Sequence, residues 1–159
     1  MSVLVLGLGN LLMTDDALGS LTIAQLLRDY RFPEQVELVD GGTLGLDLLP
    51  RFEGVSNLLV IDALQMGEAP GTVFRLEGEE VPRAFANKLS VHQMGLQDLL
   101  AVSELQGQLP ERLVVWGAQA KSIEMGLSLS PEVQTAMAEV IDGILDELKQ
   151  WGVLVEQVA

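Results

Sequence analysis

Two aspartates and the single histidine of the chain, Asp16, Asp62 and His92, are the side chains best suited by type to act together. Two carboxylates and one imidazole offer oxygen and nitrogen donors for zinc, nickel or a related divalent ion, with positions left for water or substrate. The three lie far apart in sequence, so spacing alone does not make a site, and only a fold can unite them. Taken alone, His92 also reads as an ordinary surface or hydrogen-bonded core histidine. A metal-free hydrolase, with Asp16 and Asp62 sharing the roles of base and acid, is a second reading and requires their close approach. A serine triad is set aside, because there is no Gly-x-Ser-x-Gly elbow and Ser90, Ser128 and Ser130 have capping or loop explanations. The absence of cysteine excludes disulfides, thiolate metal sites and a cysteine nucleophile.

The first loop, Gly7-Leu-Gly-Asn-Leu-Leu, imitates a dinucleotide-binding fingerprint, with Asp40 as its candidate ribose acid. Leu12 stands where the third glycine belongs, and Asp40 lies beyond the distance of about twenty residues at which that acid is expected. Asp15 and Asp16 also put two carboxylates where a pyrophosphate needs bare amide donors. At about 5 Å and an effective dielectric of about 20, each like-charge pair costs roughly 3 kcal/mol, comparable with what a helix terminus offers a phosphate. A nucleotide-binding Rossmann-like domain is therefore the weaker reading. Thr14 and Asp15 fit a capping or dipole-complementing role.

These groups must be carried by strand ends. Val3-Leu-Val-Leu-Gly-Leu is a continuous apolar run ending in glycine, the pattern of a strand covered on both faces. A helix is predicted from about Asp16 to Tyr30, stopped by Pro33, then a strand over residues 36–39, a loop at Gly41, Gly42 and Gly45, and a short helix over 46–52. A third strand over 58–61 leads to Asp62 and Ala63. After the Pro70-Gly71 turn, residues 72–76 predict an antiparallel edge strand, since the link is too short for a helical crossover. Ser90 is placed to cap a helix over 91–102, residues 113–116 form a further strand, and Ser130-Pro131 opens a last helix, ended by Gly152, with an apolar stripe from Val133 to Trp151. The alternation predicts a three-layer, doubly wound α/β domain spanning 1–159, with a mostly parallel twisted sheet of about five strands and helices on both faces. Ligands in such sheets lie beyond the carboxyl ends of the strands, so the segments after Leu8, Val39, Ile61 and Trp116 should share one rim.

The chain has 159 residues, 48% of them hydrophobic, which suits one core. Its 23 acidic and 9 basic residues give a formal charge of −14, which would repel phosphate backbones and anionic headgroups, so no nucleic acid partner is expected. No apolar run reaches the roughly 18 residues of a membrane span, and the start lacks a basic n-region and a cleavage site. A cytoplasmic monomer without membrane insertion is expected.

Several blocks in order carry a family likeness: Gly7-x-Gly9-Asn10-x-Leu12-x-x-Asp15-Asp16, Asp40-Gly-Gly-Thr43, Asp62-Ala63, His92-Gln93-x-Gly95 and Gly126-Leu-Ser-Leu-Ser-Pro131. Together they resemble the nickel-iron hydrogenase maturation endopeptidases over nearly the whole chain. The resemblance implies a peptidase that removes a C-terminal extension from the hydrogenase large-subunit precursor after nickel insertion. It further implies that Asp16, Asp62 and His92 bind the metal, nickel supplied by the substrate, for which zinc or cadmium could substitute. Asp40 is carried over as a further catalytic candidate, beside its reading as a turn acid bonding its own backbone. The sequence departs from the family where aspartate replaces the frequent glutamate at Asp16, shortening the arm by one methylene, and where Ala17 replaces a common glycine. A noncatalytic metal- or precursor-binding chaperone on the same fold is the alternative.

Overall fold

The computed structural model describes residues 1–42, 45–85 and 91–158, with the side chains of 45, 83–85 and 91–97 excepted. Thr43, Ser90 and the side chains of His92, Gln93 and Met94 thus lie outside the described residues. In chain order the elements are β1 (Val3–Leu8), α1 (Leu18–Asp29), β2 (Tyr30–Arg31), β3 (Val36–Gly42), β4 (Asn57–Leu64), β5 (Val73–Glu77), α2 (Glu80–Phe85), α3 (Val91–Leu105), β6 (Arg112–Gln119), α4 (Pro131–Gln150) and β7 (Glu156–Gln157). Two 3-10 segments, Thr14–Ala17 and Gly45–Phe52, precede α1 and follow β3.

The main sheet has five strands in the order β3-β1-β4-β6-β5. β3, β1, β4 and β6 are parallel, and β5 pairs antiparallel with β6 at the edge, as the short link after Pro70-Gly71 requires. All residues of β1 and β4 are buried, because helices cover both faces of the sheet. Alternate residues go to opposite sides. Val3, Val5, Leu59, Ile61 and Val114 meet α1 and α4 through Leu18, Ile23, Leu26, Val140 and Ile144. On the other side, Leu4, Leu6, Leu58, Val60 and Val115 meet Leu48, Phe52, Val81 and Leu99. Full burial of each such side chain contributes about 1.5–3 kcal/mol before chain entropy is set against it.

Several details depart from the sequence reading; the strands predicted over 58–61 and 113–116 run on to Leu64 and Gln119 in parallel pairing, so Asp62 lies inside β4 rather than after it. The helix predicted from Asp16 begins at Leu18, after a 3-10 turn that leaves Asp15 and Asp16 outside its regular hydrogen bonding. The strand predicted over 36–39 runs on through Asp40 to Gly42, because the backbone beyond Val39 continues to pair with β1. Local patterning gave no sign of α2 or of the small β2–β7 ribbon, whose pairs, Tyr30 with Gln157 and Arg31 with Glu156, join distant parts of the chain.

One charged group enters the core from α4. Glu147 is 4% exposed and accepts from Arg75 Nε at 2.6 Å and Nη2 at 3.0 Å and from Trp116 Nε1 at 3.1 Å. Burial alone would raise its pKa, but the hydrogen bonds from Arg75 and Trp116 and the guanidinium charge outweigh burial and hold the carboxyl below its ordinary value. The same hydrogen bond raises the Arg75 pKa. The fork geometry makes this a strong pair.

Candidate functional site

The four parallel strands end on one edge. The chain leaves β1 to form β3 on one side and returns to form β4 on the other, so the switch point of the sheet, where a crevice for ligands is expected, lies between the carboxyl ends of β1 and β4. Asp16, in the 3-10 turn that contacts β4, and Asp62, near the carboxyl end of β4, both lie at this switch point. Gly7 pairs with Ile61 across the strands, one residue before Leu8 and Asp62 respectively. The first turn of α1 presses directly on both strands: a Cβ on Gly19 would lie 2.1 Å from the Leu8 carbonyl oxygen and 2.5 Å from that of Ile61. Only glycine permits this approach. It brings the turn that carries Asp16, three residues earlier, against the end of β4 where Asp62 stands.

Asp16 is 8% exposed, and its Oδ2 accepts from the Asn10 backbone N–H at 3.1 Å. Asn10 Oδ1 in turn accepts from Leu12 N at 2.9 Å, a local turn that fixes the loop. Gly9 has φ +135°, and a Cβ there would lie 1.8 Å from the Asp16 carbonyl oxygen. The glycines that imitate a nucleotide fingerprint thus serve close backbone packing, and a carboxylate takes the amide that a phosphate would need. Asp62 is fully buried within β4, opposite Gly117 of β6.

Asp15 does not cap α1. It is fully buried, and its Oδ1 accepts from Ser130 N at 2.7 Å while Oδ2 accepts from Lys121 N at 2.8 Å, Ser122 N at 3.1 Å and Ser130 Oγ at 2.9 Å. Nor does Thr14 cap the helix. It adopts φ +47°, which is costly for a β-branched residue, and its hydroxyl reaches the carbonyls of Ser122 at 2.7 Å and Glu124 at 2.9 Å. Both residues fasten the Asp16 loop to the segment before α4. Sequence reasoning missed this role, although the expected cap at Ser130 is present, with Oγ accepting from Val133 N at 3.4 Å. The Gly126 to Pro131 block was the available signal.

Asp40 stands exposed at the end of β3 on the same edge. Its Oδ1 accepts from Ser20 Oγ at 2.7 Å and from Gly42 N at 3.1 Å, the second being the backbone bond expected of a turn acid. With Gly9, Asn10, Leu11, Ser20 and Gly42 it lines a cleft of about 250 Å³. His92 is the second residue of α3, a helix that packs on the 3-10 segment Gly45–Phe52. Among the described residues no three His, Asp or Glu side chains gather as a metal site, and the His92 side chain is not among those residues.

The chemistry available to the described part is that of two buried carboxylates at the switch point. Asp16 and Asp62 offer hard oxygen donors or proton acceptors, screened from bulk water, where charge effects are stronger than in solvent.

Comparison with known proteins gives concordant findings. The family model for hydrogenase maturation proteases (HycI) matches residues 21–147. The hydrogenase 2 maturation protease of Escherichia coli (strain K12) is 38% identical over 154 residues, covering 96% of this chain and 94% of that protein. The hydrogenase expression/formation protein HoxM of Cupriavidus necator is 39% identical over 152 residues, covering 94% and 75%. Among solved structures, the hydrogenase maturating endopeptidase HybD from E. coli superposes with a TM-score of 0.95 at 37% identity, covering 99% of this chain and 98% of the other. The [NiFe] hydrogenase maturation protease HybD from Thermococcus kodakarensis gives a TM-score of 0.77 at 30% identity, covering 93% and 99%.

Proposed function

The chain belongs to the hydrogenase maturation protease family and is a peptidase, and from that premise we propose that it removes the C-terminal extension of a nickel-iron hydrogenase large-subunit precursor, reading the substrate's own nickel. Asp16, Asp62 and His92 are the groups proposed to meet that ion. Oxygen and imidazole donors complete the coordination that substrate thiolates leave open, so a protease without cysteine can recognise a nickel-thiolate centre. Zinc or cadmium suits the same donors. A metal held there would polarise the scissile carbonyl, while the carboxylates accept the proton of the attacking water. The partner is the precursor, met in the cytoplasm by a single copy of the protease. Among the described residues no helix is long and apolar enough to cross a membrane.

The observation that carries this reading is that Asp16 and Asp62 are both buried, and that the turn bearing Asp16 contacts β4, the strand that bears Asp62, at the β1/β4 switch point. Asp40, with one oxygen engaged by Ser20 and Gly42, is proposed to shape the cleft through which the extension passes. The test is mass spectrometry of nickel-loaded and nickel-free precursor after incubation with the purified protein. Release of one C-terminal peptide from the loaded form alone is expected, and His92→Ala should abolish it. Equal cleavage of both forms would remove the metal-reading step, and an unchanged precursor mass would make the protein a chaperone.

A further inference from the structure

Exposed apolar side chains collect on the two segments that Asp15 ties together. Leu11 and Leu12, on the loop before Asp16, are 49% and 58% exposed, and on the facing loop Ile123, Met125 and Leu127 reach 41%, 86% and 80%. The backbone joins them into one surface: Gly126 N donates to the Leu12 carbonyl at 2.9 Å, Thr14 N donates to that of Gly126 at 3.0 Å, and Met13 and Gly126 form a parallel bridge. A buried carboxylate and a threonine at positive φ are costly ways to hold a loop. Here they hold apolar side chains in water, and concentrated apolar exposure on a fixed frame marks a docking surface.

Chemistry and position select the occupant. In a chain of charge −14, this surface is nearly free of charge, with Glu124 its exposed acid and Lys121 paired with Glu132 at 3.0 Å. Leu11 also lines the cleft beside Asn10 and Asp40, and the Asn10 N–H holds Asp16. Whatever lies on the surface therefore borders that cleft and the loop that leads to Asp16. We propose that Leu11, Leu12, Ile123, Met125 and Leu127 dock an apolar, uncharged segment of the precursor that adjoins its C-terminal extension, so that the scissile bond is delivered to Asp16 and Asp62. This inference rests on the proteolytic reading above.

The test compares wild type with a variant carrying Met125→Ser and Leu127→Ser, two exposed positions whose change spares the core. Precursor binding is measured by titration calorimetry and cleavage by steady-state kinetics, at about 50 and about 500 mM NaCl. Kd and KM should rise at least about tenfold with kcat within about twofold, and wild-type affinity should be insensitive to salt, as apolar docking requires. An unchanged Kd in the variant, or wild-type affinity that collapses at high salt, overturns the proposal. So does a wild-type dimer, found by light scattering, that the double substitution splits. Wild-type protein that binds the precursor without cutting it removes the proteolytic reading, and Kd then decides the docking surface alone.

Discussion

Neighbouring carboxylates have unlike tasks here. Asp16 accepts from Asn10 N and fixes the first loop at the switch point, whereas Asp15 satisfies three backbone N–H groups and a hydroxyl. Asp15→Asn puts an NH2 group where an acceptor is needed and leaves buried donors unmet, at about 1–3 kcal/mol each. A total loss of about 2–4 kcal/mol in urea unfolding is expected. Glu147 supplies a pH dependence. Its folded pKa is depressed, so its stabilisation is complete above the ordinary glutamate value of about 4.3 and is lost as pH falls through the lower folded value. Glu147→Gln should cost about 1–3 kcal/mol at neutral pH, toward the lower end because the Arg75 side chain is 37% exposed, and should flatten the loss of stability in acid. Urea titrations at about pH 7 and about pH 3 compare the two proteins.

At the scale of elements, the approach of α1 to β1 and β4 places the Asp16 turn. Gly19→Ala adds a carbon within 2.5 Å of two strand carbonyls, so the helix must withdraw. The expected outcome is a loss of about 1–3 kcal/mol, read as a lower Tm, with a larger fractional loss of precursor cleavage than of folded protein at working temperature. Cleavage that follows the folded fraction alone would show that the crevice tolerates the shift.

For the whole molecule, 23 acids against 9 bases impose self-repulsion on the compact state. Raising salt from about 0.01 to about 0.15 M shortens the Debye length from about 30 to about 8 Å. The urea midpoint should therefore rise over that range, and a falling midpoint would mean that favourable ion pairs such as Arg51 with Glu37, at 2.7 Å, outweigh the repulsion. The mostly parallel sheet covered on both faces explains why an acidic chain can still bury an apolar cluster on each side of the sheet.

Sequence alone determined the sheet strands, because a strand buried on both faces must be an unbroken apolar run, as Val3–Leu8 and Asn57–Leu64 nearly are. It also read Asp40 and Asp62 beside the ends of apolar runs, although both lie inside the last residues of β3 and β4, and it placed the cap at Ser130 before Pro131. His92 was assigned to a helix start, where its backbone lies, while its side chain stands outside the described residues. Only tertiary structure decided that Asp15 is a brace, because its bond to Ser130 crosses 115 residues and leaves no periodic trace. The partnership of Asp40 with Ser20, the Arg75–Glu147 pair and the β2–β7 ribbon were hidden for the same reason. Hydrophobic periodicity is a local record of which face is buried, whereas a hydrogen-bond partner is chosen by proximity that exists only after the chain has folded.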